Sequence, residues 1–134
     1  MSYAGLGQID DAMATYKQAI AWQAQLLIKN PGPYLDMGTL LVDQNREAEG
    51  IPYLVHAAEI APQDSKVHPE LGRGYEHLNQ LAEAQAELEK AAALTPDDAA
   101  LHYVLGKVYR KQGMLEKAKA EFDRSEALRG IRYP

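Results

Sequence analysis

The sequence predicts an all-α chain of stacked antiparallel helix pairs, and three observations point there. Tyr34, Met37, Gly38 and Leu41 recur as His68, Leu71, Gly72 and Tyr75, then as His102, Leu105, Gly106 and Tyr109, each step 34 residues long. A second set keeps the same step: Gly50, Leu54 and Ala57, then Ala84, Leu88 and Ala91, then Ala118, Phe122 and Ser125. Each unit closes on a helix stopper, at Pro62, Pro96 and Gly130. A fixed period of this length marks units that cannot bury an apolar face alone and must stack to do so.

Each unit reads as two helices joined by a tight turn. The turn needs a residue at ease with positive φ, and Gly7, Asn45, Asn79 and Gly113 fall at the corresponding places. Small residues explain how the helices approach: Gly38, Gly72 and Gly106 on the first helix, Gly50, Ala84 and Ala118 on the second. Ala84→Leu is therefore expected to overpack the contact, lowering stability by about 1–3 kcal/mol in a thermal melt. The predicted helices span 2–6, 9–29, 34–44, 47–61, 66–78, 81–94, 98–112 and 115–129. From Ala12 to Gly50 is 38 residues rather than 34. The four extra residues are about one helical turn, so the helix carrying Ala12, Tyr16, Trp22 and Leu26 is expected to run to Lys29 before Asn30-Pro31-Gly32-Pro33 breaks it. Pro52 and Pro69 lie near helix starts and are expected to shift or bend them. Asp97 and Asp98 suit a helix N-terminus.

These slots resemble the tetratricopeptide repeat (TPR) family over nearly the whole chain. The resemblance implies a right-handed superhelical solenoid forming a single domain of residues 1–134. It divides into a partial first repeat (1–30) and full repeats at 31–64, 65–98 and 99–132. The first bulky slot, often Trp in the family, is Tyr34, His68 and His102 here. By the same resemblance, first helices line a concave groove that takes partner peptides. The groove slots are Leu35, Asp36, Thr39, Val42 and Asp43, then Lys66, Glu70, Arg73, Glu76 and His77, then Tyr103, Lys107, Arg110 and Lys111. Arg73, Lys107, Arg110 and Lys111, with Tyr103 among them, form the densest positive region expected. It suits an acidic segment or a C-terminal carboxylate of a partner protein. The alternative is ordinary solvated charge. The clamp that cochaperone members use would fall on Leu35, Thr39, Glu70, Ala100 and Val104, and none carries the required residue type.

Composition narrows the remaining classes. The 134 residues suffice for one core. A net charge of −5 disfavours nucleic acid. With no cysteine there is neither a disulfide framework nor a thiolate metal site. No apolar run reaches membrane-span length, so no membrane insertion is expected. The N-terminus has no signal-peptide pattern. The default is a cytoplasmic protein, the alternative a piece of a longer chain whose targeting signals lie outside it. No phosphate loop, HExxH or nucleophile elbow occurs, so no enzyme activity and no cofactor are expected. Glu47, Glu49, Glu83, Glu87, Glu116, Glu121 and Asp123 are read as a solvated outer face. His68 and His102 are read as packed, since no ligand set surrounds them. Tyr3, Tyr16, Tyr75 and Tyr109 are read as core, and Trp22 as packing on the next unit. A second function class is self-association and assembly: Tyr3, Tyr16, Ile20 and Leu27 are expected to be poorly covered at the N-terminal end, to be covered either by an upstream segment of a longer protein or by another copy in a homo-oligomer; a further alternative is an accessory module of a larger protein.

Overall fold

The computed structural model describes residues 3–26 and 29–130, with the side chains of 3–6 and 25–26 excepted. Among the described residues there are seven helices and no strand: α1 Tyr3–Leu26, α2 Gly32–Asp43, α3 Glu47–Ile60, α4 Val67–His77, α5 Leu81–Leu94, α6 Ala99–Lys111 and α7 Leu115–Arg129. They fall into two compact units, Met1–Val67 and His68–Pro134. No described helix is long and apolar enough to cross a membrane.

In the first unit α2 and α3 form a hairpin whose turn is Asn45 at φ 60°. Its helices touch backbone to backbone. A Cβ on Gly50 would lie 2.8 Å from the Gly38 carbonyl oxygen, and one on Gly38 would lie 2.5 Å from Leu54 Cγ. Around this contact Met13 of α1 joins buried Met37 and Leu41, with Ile9, Tyr16, Ile20 and Tyr53 packed on them. Tyr16 and Ile20 are thus engaged by the core, against the expectation of a poorly covered N-terminal end. The expectations for the Tyr3 side chain and for Leu27 lie outside the described residues. Trp22 is 60% exposed on α1 and does not pack as expected.

The predicted break at Gly7 does not occur. α1 runs through it from Tyr3 without a positive φ. Glycine permits the left-handed conformation but does not demand it, and an interior helical glycine costs only about 1 kcal/mol. The helix also falls short of Lys29, which is already non-helical. Asn30 follows in a turn of its own: its side chain accepts from Gly32 N–H at 2.9 Å. α2 then starts two residues earlier than predicted, because Pro33 fits the first turn, where its missing N–H is not needed. Pro69 also lies in a first turn, that of α4. Pro52 sits inside α3, which continues past it.

In the second unit α4–α5 and α6–α7 are hairpins turned by Asn79 at φ 59° and Gly113 at φ 80°. Here the close approach is filled by side chains: a Cβ on Gly72 would lie 2.5 Å from Leu88 Cγ, and one on Gly106 would lie 2.7 Å from Phe122 Cε1. The facing small residues, Ala84 and Ala118, are buried with Leu88, Leu101, Leu105 and Val108. Asp98 caps α6, accepting from Leu101 N–H at 3.2 Å. Ser125, in a slot filled by alanine in the preceding units, stays buried because its hydroxyl donates to the Ala99 carbonyl at 2.8 Å. Tyr109 donates to Glu89 at 2.8 Å, and burial together with this bond pushes its phenol well above the ordinary range.

Two carboxylates leave the solvated face assigned to them. Glu87 meets His68 Nδ1 at 2.7 Å, and buried Glu121 meets His102 Nδ1 at 2.6 Å, each across its own hairpin. Histidine buried in the bulky slot needs a polar partner, and the second helix supplies one 19 residues later.

Candidate interaction surface

The predicted site residues divide between the two units. Leu35 and Thr39 lie half-buried on α2, but Val42, expected beside them, is 1% exposed and belongs to the core. The helical step from Thr39 turns the side chain at 42 inward, where it also touches the Gly50 contact.

In the second unit α4 and α6 present the remaining residues. Between them lies a cleft of about 140 Å³, walled by Leu88, Leu101, Ala100 and Val104, with Glu70, Arg73 and Asp98 also lining it. Arg73 donates to Glu70 at 2.7 Å, so the charge at this point is locally balanced. Further along, α6 brings Lys111 to 3.1 Å and Lys107 to 3.7 Å from the same carboxylate oxygen of Glu76 on α4. Glu76 is buried. Two ammonium groups on one carboxylate leave a net positive centre, and Lys111 keeps nearly half its side chain exposed. His77 is exposed at the C-terminal end of α4, next to Glu76.

The outer stripe of α6 faces α7. Tyr103, 44% exposed, lies 5.6 Å from the Phe122 ring. Lys107 stands 5.4 Å over the Tyr103 ring, and Arg129 of α7 stands 5.7 Å over it. Arg110 is turned to the Phe122 ring at 5.4 Å. Lys107 therefore joins Tyr103 to the Glu76 centre, while Arg110 leans toward α7. The positive region is narrower than four basic residues suggest, because Glu76 and Glu70 each occupy part of it. Arg129 was not among the sequence candidates: it lies on α7, and only its distance from Tyr103 in the fold brings it in. Among the described residues no group of three or more His, Asp or Glu converges as a metal site would require.

Comparison with known proteins agrees with this architecture. A family model described as "TPR repeat" matches residues 72–113, and another described as "Tetratricopeptide repeat" matches 1–26 and 99–129. No curated protein sequence matches the chain. Among solved structures, one of MamA is 21% identical with a TM-score of 0.85, covering 96% of this chain and 75% of that one. MamA from Desulfovibrio magneticus RS-1, from residue 41 to the end, is 21% identical with a TM-score of 0.83 over 94% of this chain and 69% of that one. YrrB, described as a TPR protein with an unusual peptide-binding site, is 21% identical with a TM-score of 0.81 over 97% of this chain and 65% of that one. At such identity the likeness carries the fold, an all-α TPR solenoid. With the repeat slots, the left-handed turns and the family matches in agreement, the chain belongs to the tetratricopeptide repeat family.

Proposed function

We propose that this chain is a non-catalytic protein-interaction module that holds an acidic segment or C-terminal carboxylate of a partner on the α4–α6 face. TPR proteins are generally non-catalytic interaction modules, and YrrB is described as carrying a peptide-binding site. The observation that carries the reading is the surplus cation at Glu76: Lys107 and Lys111 share one buried carboxylate, so an incoming carboxylate completes the pairing instead of competing with it. The cleft beside it offers apolar wall for a neighbouring side chain. Tyr103 adds a ring on which a peptide can lie. Within the same unit, Arg73, His77 and Arg110 extend the proposed peptide path.

The test is fluorescence polarisation with labelled peptides ending in Asp or Glu, each paired with a neutral, amidated counterpart. Lys107→Gln/Lys111→Gln is expected to weaken the acidic peptides at least roughly tenfold, the loss expected for one or two charge-assisted hydrogen bonds. Arg110→Gln, turned toward α7, is expected to change affinity far less. Equal binding of acidic and neutral peptides, or no effect of the double substitution, overturns the proposal.

A further inference from the structure

The α4–α6 face is divided along its length. Ala100, Val104, Lys107 and Lys111 follow one another on α6 at steps of four, three and four residues, so they form one stripe on the helix. The N-terminal half of the stripe is apolar. Ala100 and Val104 wall the cleft of about 140 Å³, together with buried Leu88 and Leu101. An apolar space of roughly 150 Å³ admits a body the size of benzene, so one aliphatic or phenyl side chain fits. The C-terminal half is cationic. Lys107 and Lys111 both reach Glu76 Oε1, at 3.7 and 3.1 Å, and keep 29% and 44% of their side chains exposed.

Charge separates the two halves further. At the cleft Arg73 is held by Glu70 at 2.7 Å, and Asp98 is an exposed acid. A ligand carboxylate is repelled there and attracted at the lysines.

The two halves also set a length. Seven residues separate the midpoint of Ala100 and Val104 from that of Lys107 and Lys111, roughly 10 Å along the helix axis. A β-extended peptide returns a side chain to the same side only at every second residue, at about 6.6 or 13 Å, and neither spacing matches. A polyproline II segment has three residues per turn and rises about 3.1 Å per residue, so side chains three apart share a side at about 9 Å.

We infer that the α4–α6 face reads a two-part motif: an apolar and an acidic side chain three residues apart on a polyproline II segment inside a partner protein. The apolar side chain enters the cleft, and the acidic one meets Lys107 and Lys111. This deepens the acidic-ligand reading of the face and rests on it.

Fluorescence polarisation with labelled, end-blocked peptides tests it. The parent peptide carries Leu-Pro-Pro-Glu between glycines. Companions place one or three prolines between leucine and glutamate, put alanine for leucine or glutamine for glutamate, or leave the C-terminus free. Alanine for leucine, and either change of spacing, is expected to weaken binding roughly tenfold. Glutamine for glutamate is expected to weaken it by a similar factor. Ala100→Phe, at an exposed residue, fills the cleft. It is expected to bind the leucine and alanine peptides alike while still preferring glutamate to glutamine. Lys107→Gln/Lys111→Gln is expected to lose the glutamate preference and keep the leucine preference. Preference for glutamate with no dependence on the leucine or its spacing overturns this inference and leaves the acidic-ligand reading standing. Binding only when the C-terminus is free assigns the lysines to a chain end and overturns it too. No preference for any acid removes both readings.

Discussion

Gly50→Ala is expected to destabilise the chain by about 2 kcal/mol, while the same substitution at Gly7 stabilises it by about 0.5–1 kcal/mol. Both glycines are helical, so propensity alone favours alanine at both by up to about 1 kcal/mol. They differ in what the new methyl meets. At Gly7 nothing lies within 4 Å. At Gly50 the methyl would sit 2.8 Å from the Gly38 carbonyl oxygen, 3.0 Å from Leu41 Cβ and 3.3 Å from Val42 Cγ2. The nearest atom is backbone and cannot rotate away, so α2 and α3 must separate. A gap of even half an ångström forfeits a quarter or more of each dispersion contact along the seam, and that seam includes Leu41, Val42 and Leu54, all within 1% of full burial. Overpacking of this kind costs about 1–3 kcal/mol and occasionally more, enough to outweigh the propensity gain. Thermal melts followed by circular dichroism check the pair: a fall of roughly 6–12 °C for Gly50→Ala and a small rise for Gly7→Ala. A Gly50→Ala melt at or above the parent's would mean that the two helices do not meet backbone to backbone.

The same contrast shows what the sequence discloses and what it withholds. Asn45, Asn79 and Gly113 adopt positive φ as read, because a hairpin must reverse there and few residues do so cheaply. Gly7 looked equivalent, yet no reversal follows it, and residue type cannot say whether a permitted conformation is required. α5 and α7 match their predicted spans residue for residue, since repeat spacing and apolar period agree over those stretches. α1 is where the repeat departs from its step, and there one continuous helix from Tyr3 replaces the break expected at Gly7.

The surface was less legible than the scaffold, for an electrostatic reason. Register places Lys107, Lys111 and Glu76 on first helices but does not say that both lysines reach one carboxylate, which depends on side-chain reach across the α4–α6 crossing. Glu87 and Glu121 read as surface charge on their own helices because the histidine that meets each lies on the other helix of its hairpin. A signal was present: both pairs, His68 with Glu87 and His102 with Glu121, repeat at the 34-residue step. In the first unit Tyr34 and Tyr53 occupy the same two slots, and Tyr34 stacks on His56 instead. Gln23 carried no signal at all: its burial goes with the turn at Asn30, whose backbone N–H its oxygen accepts.

The buried pair also sets the second large effect. His102→Leu is expected to cost about 3 kcal/mol, and His102→Leu/Glu121→Leu to recover most of it. His102 lies between two acceptors, Glu121 Oε2 and the Pro96 carbonyl oxygen, each at 2.6 Å. Removing the ring strips both. The Pro96 carbonyl borders a cleft of about 320 Å³, so water can replace its partner. The Glu121 carboxylate has no such recourse: its side chain is 10% exposed, and only Oε1 keeps a bond, to Arg124 at 3.1 Å. A buried charge left half-paired is the expensive state, whereas a leucine pair of similar volume removes the charge altogether. Glu121→Leu alone is expected to fall between the two, because His102 retains Pro96. Urea denaturation of the four proteins closes a double-mutant cycle, with an expected coupling of about 1–3 kcal/mol. Additive losses would show that the two side chains do not act on one another, and that apolar packing of the bulky slot, rather than its polar partner, is what each hairpin requires.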